Sequence, residues 1–476
     1  MSTTTTTQTR QAKKEGDISS VFVSLSGADR PPLPDRFRAI KNSLISGNEE
    51  KVIASWNRLL KQLLSENEII ARHGSSVIPT LEFANLESEL ERLRSEIKKR
   101  GVAVIRGVVP EAEARAYKSE VEEYVKKNPT TRAFPQNSPQ VYELYWSEPQ
   151  LKARAHPNLL ATQKLLMESL WHTPSPDAVI STSHPLSYSD RVRIRQPGDA
   201  TFALGPHIDG GSVERWEPEG YGKGGVYDSV FSGNWEKYDP WNAETRLPAE
   251  MDLYNGAGAC TMFRMFQGWL SMSVCGARQG TLLVNPLVKL ATAYVLLRPF
   301  FRPLKEEKSE GFLAPENWIF TGGGDMTSEL QGATPGHAQE LNDALHPHLD
   351  LDNTVVHMPE VRPGDFVVWH CDTIHAVDKV HTGTSDSSVL YIPVCPTTET
   401  NAKYLVRQRE AFKNGRPGPD FPGGKGESEH VDRPGPDFIQ ATAGRQAAGL
   451  ERLALVGGEH AGARAAIDIA NEILGL

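Results

Sequence analysis

The sequence predicts an α+β fold, with helices towards both ends of the chain and strands in the middle. Segments near the termini repeat apolar residues every three or four positions, which is typical of amphipathic helices. The middle of the chain carries short alternating or uniformly apolar segments that end at Gly and Pro, which is typical of strands. With 476 residues, 39% of them hydrophobic, the chain can build a sizeable core.

The chain divides into four regions at changes of composition. Residues 1–30 are polar and begin with a run of threonines, so we expect a disordered tail. A helical region is expected over residues 31–95, and the main domain over residues 96–400, with an insertion at 210–250. Residues 401–476 contain paired Pro/Gly turns and are expected to wrap the domain.

Seven segments have helical periodicity or the length of a buried helix. The predicted helices cover residues 36–46, 48–71, 81–100, 111–127, 287–301, 441–453 and 461–474. The predicted strands cover residues 101–110, 191–195, 261–266 and 366–369. The last of these is uniformly apolar and follows a Pro-Gly-Asp turn, as a buried strand does.

Two of these strands precede residues that can bind a metal ion. His207 and Asp209 follow the strand at 191–195, and side chains two apart at a strand end point the same way. His375 lies just beyond the strand at 366–369 and approaches from a different direction. Two imidazoles and one carboxylate form the facial triad of non-haem Fe(II) oxygenases, which leaves coordination positions open.

A His-x-Asp pair alone is a weak signal. Such a pair is more often a capped turn or a surface pair, and His370-Cys371-Asp372 is a second match in this chain. The context favours a metal site at His207 and Asp209, because a strand and a Gly-rich bend precede them and a Gly-Asp-strand-His segment follows.

These segments resemble the Fe(II)/2-oxoglutarate-dependent dioxygenases, in particular the phytanoyl-CoA-hydroxylase-like branch. Gly364-Asp365, Trp369-His370 and His375 match one motif of that branch, and residues 267–270 and 280–286 resemble its central strands. The likeness covers about residues 95–395. It implies a double-stranded β-helix (jelly roll) core with flanking helices.

A closer resemblance is to the DUF1479 family of uncharacterised oxygenase-like proteins. It rests on residues 205–211, 386–393 and 407–428. The two resemblances imply Fe(II) bound by His207, Asp209 and His375, with 2-oxoglutarate and O2 as co-substrates and a small molecule as substrate. Hydroxylation of a C–H bond is the expected reaction.

One departure from the resemblance concerns the co-substrate. Relatives carry an Arg about a dozen residues after the distal His, where it pairs with the far carboxylate of 2-oxoglutarate. No Arg occurs here at residues 385–390. The expected cofactor-binding residues, in order of preference, are therefore Arg195, Arg264, Lys379 and Ser388. A rim salt bridge is the alternative role for the basic residues, and a different acid co-substrate is the alternative for the site.

The insertion at residues 210–250 is rich in Trp and Tyr. A long loop with many aromatic residues predicts a lid over the metal that holds the substrate. The alternative is a packed structural flap.

Composition narrows the classes of partner and compartment. The formal net charge of −9 argues against a nucleic-acid or anionic-membrane surface. Four cysteines without C-x-x-C spacing argue against structural zinc and favour a reducing compartment, so we expect a cytoplasmic protein. No secretory signal is visible at the N-terminus. The sequence leaves the oligomeric state open.

Two other functions stay open at this point. One is a jelly-roll protein that binds a small acid without catalysis. The other is a metal-dependent oxygenase that uses a different co-substrate, for which His370 and His381 could supply further ligands. For His370 we favour packing or a hydrogen bond to a metal ligand. His346-Pro347-His348 is expected to be an exposed turn without a metal role.

Overall fold

The computed structural model describes residues 13–27, 30–257, 259–421 and 423–476. The longer helices lie towards the two ends of the chain. The α-helices are α1 (Val23–Ser26), α2 (Arg36–Ile45), α3 (Glu49–His73), α4 (Leu86–Arg100), α5 (Glu111–Lys127), α6 (Glu148–Arg154), α7 (Pro157–Leu170), α8 (Asp228–Phe231), α9 (Val288–Leu297), α10 (Leu351–Thr354), α11 (Glu399–Asn414), α12 (Thr442–Ala447) and α13 (Ala461–Leu474).

Most strands lie between the first and last groups of helices. The strands are β1 (Thr80–Glu82), β2 (Val102–Arg106), β3 (Ala133–Phe134), β4 (Val141–Tyr142), β5 (Ser181–Leu186), β6 (Val192–Arg195), β7 (His207–Ile208), β8 (Phe266–Ser271), β9 (Leu282–Val284), β10 (Phe301–Pro303), β11 (Trp318–Phe320), β12 (Gln339–Glu340), β13 (Val356–His357), β14 (Phe366–His370), β15 (His375–Val377), β16 (Ser387–Tyr391) and β17 (Cys395–Thr397).

Two large sheets organise these strands. Eight strands form one sheet in the order β1-β2-β14-β8-β16-β6-β4-β3, and five form another in the order β12-β7-β15-β9-β13. Their neighbouring strands are antiparallel except for β1 and β2. The predicted α+β class is therefore confirmed.

A cavity lies between the two sheets. Alternate residues of β8, namely Gln267, Trp269 and Ser271, line it, while Phe266 and Leu270 pack into the core on the other face. That core also contains apolar residues of α4, α5 and α7. The five-stranded sheet lines the same cavity with His207, Leu282, His375 and Val377.

The described part of the N-terminal segment packs against the domain. Lys13 is buried and pairs with Asp252 at 2.9 Å and Asp420 at 3.4 Å. The backbone amide of Ala338 donates to the carbonyl of Val21 at 2.9 Å. The expected disorder is therefore not found at residues 13–27, while residues 1–12 lie outside the described residues. Composition alone does not indicate that a lysine near the N-terminus forms a buried ion pair.

The insertion at residues 210–250 packs into the core. Six aromatic residues of this segment are each at most 3% exposed: Trp216, Tyr221, Tyr227, Trp235, Tyr238 and Trp241. The indole nitrogens of Trp216 and Trp235 donate to the carbonyls of Leu296 and Ser55. From this segment only Gly210, Gly211 and Glu214 line the cavity. These aromatic residues form a packed flap and not the predicted lid.

Three smaller expectations need correction. The predicted helix at 81–100 begins only at Leu86, because Thr80–Glu82 pairs in parallel with β2. Of the strand expected at 261–266, only Phe266 belongs to a strand. His346 and His348 are fully buried, because they pack beside Tyr294, so they do not form an exposed turn.

The apolar segment at 287–301 is a buried helix, as predicted. Helix α9 occupies most of it, and nine of its ten residues are buried. No helix in the described ranges combines the length and the apolar character needed to cross a membrane.

Candidate metal centre

The three predicted metal ligands meet at one edge of the cavity. His207 in β7 and His375 in β15 are directly opposite each other in neighbouring strands, with ring centroids 4.1 Å apart. Asp209 lies beyond the end of β7. Its Oδ1 is 3.7 Å from His207 Nε2, and its Oδ2 is 3.7 Å from His375 Nε2. One ion could therefore contact all three side chains, whose ligand atoms lie within 4.8 Å of one another.

Hydrogen bonds orient both imidazoles for metal binding. Nδ1 of His207 donates to the carbonyl of Gly205 at 2.7 Å, and Nδ1 of His375 donates to the carbonyl of Thr373 at 3.0 Å. These bonds assign the proton to Nδ1 in each ring, which leaves the Nε2 lone pair facing Asp209. This pattern of outer hydrogen bonds is the usual one for histidine ligands.

The charge states of the ligands also suit a cation. Burial and the neighbouring His207 lower the pKa of His375 to about 3, so His375 is neutral at physiological pH. Burial alone would raise the pKa of Asp209, but His375, His207, Arg264 and Arg191 lower it overall. One carboxylate and two imidazoles whose Nε2 atoms face it fit Fe(II), with an open side towards the cavity.

The second His-x-Asp cluster has a different environment. Asp372 forms an ion pair with Arg246 at 2.5 Å and accepts hydrogen bonds from Tyr227 and Tyr238 at 3.2 Å each. Nε2 of His370 donates to the carbonyl of Pro240, and its Nδ1 accepts from the amide of Asp372. Both ring nitrogens are therefore used, which rules out His370 as a further ligand in this arrangement.

Arg195, the first choice for the co-substrate anchor, is already paired. Its Nε donates to Asp199 at 2.7 Å, and its Nη1 and Nη2 donate to the carbonyls of Asp378 and Lys379. It is fully buried and does not line the cavity. In this structure the Arg195 guanidinium closes a loop instead of facing the cavity, which does not support the predicted anchor role.

Two other candidates also lie away from the cavity lining. Lys379 is exposed to solvent. Ser388 points to the opposite face of β16 from the cavity, and its hydroxyl donates to Asp386. Of the four predicted cofactor-binding residues, only Arg264 lines the cavity, where its Nη2 is 3.9 Å from Asp209 Oδ2.

A family model described as Gig2-like matches residues 31–450. The chain belongs to the Gig2-like family. The uncharacterised protein YbiU of Escherichia coli (strain K12) is 30% identical to this Gig2-like chain over 401 residues, which cover 81% of the chain and 89% of YbiU.

Solved structures support the same relationship. The crystal structure of GIG2 (GlcNAc Inducible Gene 2, DUF1479) from Candida albicans has a TM-score of 0.83 and 32% identity, and the match covers 94% of this chain and 96% of GIG2. A candidate oxidoreductase from Salmonella typhimurium LT2 has a TM-score of 0.73 and 30% identity, with 89% and 99% covered. The resemblance to the DUF1479 family is therefore confirmed.

Arg193 is the functional candidate that the sequence interpretation of this Gig2-like protein missed. It lies two residues before Arg195 in β6, lines the cavity and is 5% exposed. No described group accepts a hydrogen bond from its Nε, and its Nη2 contacts Gln140 Oε1 only at 3.5 Å. The strict alternation at 191–195 places the side chains of Arg193 and Arg195 on the same face of the strand. The sequence could therefore have offered Arg193 as a co-substrate anchor equal to Arg195.

Polar groups near Arg193 continue the cavity wall. The thiol of Cys275 is 3.3 Å from the hydroxyl of Ser387, and Thr281 and Arg193 both act on its pKa, which burial raises overall. At the metal end, Trp369 lies 5.2 Å from the His375 ring, and Trp369 Nε1 and Gln267 Nε2 have no hydrogen-bond acceptor among the described residues. Buried donors without acceptors are costly, so a ligand with acceptor oxygens would be favoured at this part of the cavity wall.

The N-terminal segment of the Gig2-like chain covers the metal ligands. The ring of Phe22 contacts the His207 ring edge to face, with centroids 4.8 Å apart. Ile18 and Val21 also line the cavity. The segment that was expected to be disordered therefore provides the covering role that the aromatic insertion was expected to have.

Proposed function

We propose that this Gig2-like protein is a non-haem Fe(II) oxygenase that uses 2-oxoglutarate and O2 to oxidise a C–H bond of a small molecule. The arrangement of His207, Asp209 and His375 is the observation that carries the proposal. Their Nε2 and carboxylate atoms converge at the edge of a cavity, while their outer atoms are hydrogen-bonded. The Salmonella relative described as a candidate oxidoreductase supports the same reaction class.

The fold proposed for the core is a double-stranded β-helix. Support comes from the two largely antiparallel sheets that face each other across the cavity, with the metal ligands on the smaller sheet. Helices α4, α5 and α7 pack on the outer face of the larger sheet. In such a core the sheets hold the ligands rigidly while the space between them accepts the co-substrate.

Fe(II) held by the triad would supply the redox chemistry by which O2 is activated as 2-oxoglutarate is converted to succinate and CO2. The protein's own residues bind, orient and shield the reactants. The hydrogen bonds from Nδ1 of His207 and His375 to carbonyl groups orient the two rings, so that Nε2 of each faces the metal position. The buried wall of Phe22 and Trp369 excludes water from the metal side of the cavity.

Arg193 is the proposed anchor for the far carboxylate of 2-oxoglutarate. An anion would stabilise this guanidinium, which is almost fully buried and has one nitrogen without a hydrogen-bond acceptor among the described residues. In the neighbouring strand β16, Val389 pairs with Arg193, and Val389 also lines the cavity. Through Arg193, strand β6 would therefore provide the positive charge that β16 lacks. The unpaired donors Gln267 Nε2 and Trp369 Nε1 would donate to oxygens of 2-oxoglutarate nearer the metal.

The test is an anaerobic titration of the purified full-length protein. Fe(II) is added first, then 2-oxoglutarate, while the visible charge-transfer band of the chelate is recorded, with His207→Ala as control. A band that disappears in the variant supports both cofactor and site. Iron binding without a band would favour another acid co-substrate. Failure to bind iron would contradict the proposal and favour a non-catalytic acid-binding protein.

A further inference from the structure

Besides Arg193, two further arginines line the cavity: Arg191, which is paired with Asp190, and Arg264, which is not needed for the co-substrate. Arg264 lies just before the first residue of β8. Arg193 lies level with Ser271, the last residue of β8, because Arg193 and Ser271 each pair with Val389 of β16. Arg264 contacts the metal-ligand region through Asp209, and its guanidinium lies 5.6 Å from the centroid of the Tyr188 ring. Arg193 and Arg264 therefore line different ends of one cavity.

Among the described residues, Arg264 has no hydrogen-bonded anionic partner. Its side chain is 13% exposed, and none of the described residues accepts a hydrogen bond from its guanidinium. The carboxylate of Asp209, 3.9 Å away, is required by the metal ion. A buried guanidinium without a hydrogen-bonded anion is costly.

The other acidic residues that line the cavity are already in use. Asp190 pairs with Arg191 at 3.1 Å. Glu214 accepts a hydrogen bond from the amide of Ser212 at 2.7 Å, and burial raises the pKa of Glu214 to about 7. Glu214 is therefore only partly ionised near neutral pH and cannot act as a full counter-charge.

The surroundings of Arg264 suit an anion that carries an apolar body. The cavity wall near this arginine includes the aromatic rings of Tyr188 and Phe421, and Phe22 forms part of the cover beside His207. Planar oxyanions pair with arginine in a bidentate geometry, and aromatic rings pack against apolar groups.

We propose that Arg264 binds an anionic group of the primary substrate, so that the substrate is a small organic carboxylate with an apolar portion. This inference rests on the proposed function, since it assumes that 2-oxoglutarate occupies the end of the cavity at Arg193. The oxidised C–H bond would then lie on the portion of the substrate between Arg264 and the metal ligands.

The experiment uses benzoate and benzamide as probes, because they have nearly the same shape and differ in charge. The full-length protein is loaded anaerobically with Fe(II) and saturating 2-oxoglutarate, and each probe is titrated while the charge-transfer band is recorded. The variants are Arg264→Gln and Arg264→Lys. Arg302→Leu, at an exposed position of β10, is the matched control.

We expect benzoate to perturb the band and benzamide to bind at least about tenfold more weakly. Arg264→Gln should weaken benzoate binding by about 10- to 100-fold, because a charge-assisted bond is lost. Arg264→Lys should restore part of that loss, and Arg302→Leu should have no effect. The Kd for 2-oxoglutarate should stay within about twofold in Arg264→Gln, which also shows that the variant is folded.

Three results would overturn the substrate proposal alone. They are a normal band with no benzoate binding, equal binding of benzoate and benzamide, and benzoate binding that competes with 2-oxoglutarate. A Kd for 2-oxoglutarate that rises in Arg264→Gln would assign Arg264 to the co-substrate instead. Absence of the band in the wild-type protein would contradict the proposed function itself, and the substrate proposal would fall with it.

Discussion

Two clusters in this protein satisfy the same sequence pattern but differ in their surroundings. His207, Asp209 and His375 face a cavity, and the Asp209 side chain is 27% exposed. In the other cluster, Asp372 is 1% exposed and is paired with Arg246 and hydrogen-bonded to two tyrosines. The difference shows that the supply of internal partners, more than residue type, separates a binding site from a structural one.

The two clusters are also connected. Arg215 lies 3.7 Å from Asp372 and donates to the backbone carbonyls of Asp209 and Gly211 at 2.8 and 2.6 Å. The buried cluster therefore holds the loop that carries Asp209, the proposed metal ligand. Its carboxylate is paired with Arg246 and Arg215, so the cluster can support the proposed metal site without competing for the ion.

The largest expected effect is the loss of iron in Asp209→Ala. Removal of the only carboxylate ligand should lower Fe(II) affinity by more than about 100-fold. Asp372→Asn should lower it by no more than about tenfold, through the loop held by Arg215. Iron retained after anaerobic desalting checks both values. Equal loss in the two variants would contradict the separation of roles.

Asp372→Asn should instead have a large effect on stability. The substitution leaves the guanidinium groups of Arg246 and Arg215 buried without their carboxylate, which costs about 3–5 kcal/mol. Chemical denaturation of the metal-free protein measures the free energy of unfolding. Asp209→Ala is the matched control, since Asp209 is partly exposed and its loss should cost much less. A smaller loss in Asp372→Asn than in Asp209→Ala would refute this contrast.

Acid should weaken the buried cluster through His370. Burial, with the Arg246 charge, lowers the pKa of His370 to about 4, below the value of about 6.5 expected in the unfolded chain. Between about pH 6.5 and 4, the unfolded chain therefore binds a proton at His370 that the folded protein does not bind. The contribution of His370 is fully present above about pH 6.5 and is lost as the pH falls towards 4.

His370→Gln should make the free energy of unfolding depend less steeply on pH between about 6.5 and 4. The measurement is denaturant unfolding of wild type and variant at several pH values, with metal removed from both. Other buried histidines, such as His346, titrate in the wild type and the variant alike, so they cancel in the difference. Parallel curves for the two proteins would contradict the prediction.

The next largest effects are expected on co-substrate affinity at Arg193 and on stability at Arg195. Arg193→Leu should raise the Kd for 2-oxoglutarate by about 10- to 100-fold while iron content is unchanged, because a charge-assisted pair is lost. Arg195→Leu should lower stability instead, since Asp199 and two carbonyl groups lose their donors. The charge-transfer titration and a thermal melt separate the two outcomes. A selective loss of co-substrate affinity in Arg195→Leu would restore the original prediction.

Much of the fold was predictable because its signals are local. The helices at 111–127 and 461–474 have the predicted bounds, since their apolar spacing is regular and a Pro or Gly lies next to at least one end. The convergence of His207, Asp209 and His375 was also predictable, because strand ends and turns fix where a side chain can point. These features depend on a few neighbouring residues.

The parts that failed depend on contacts between distant residues. Nothing near Lys13 in the sequence indicates that Asp252 and Asp420 receive its charge. Arg193 and Arg195 are indistinguishable by alternation, and only the loop at Asp199 and Lys379 decides which one is satisfied. For the same reason the aromatic insertion was interpreted as a lid, although its hydrogen-bond partners Leu296 and Ser55 lie in helices far along the chain.

The smallest expected effect is at Cys371, between the two main residues of the buried cluster. Burial raises the pKa of its thiol to about 12, so little reactive thiolate forms at neutral pH despite the nearby metal site. Cys371→Ser should change the free energy of unfolding by less than about 1 kcal/mol and leave iron binding intact, because the Sγ makes only long polar contacts with the described residues, to Arg246 Nη1 at 3.5 Å and His370 Nδ1 at 3.8 Å. Alkylation by iodoacetamide at pH 8, followed by mass spectrometry, should label Cys371 slowly in the folded protein and rapidly in denaturant. Rapid labelling of the folded protein would mean that the buried cluster opens, and its role as a rigid support for the metal loop would have to be abandoned.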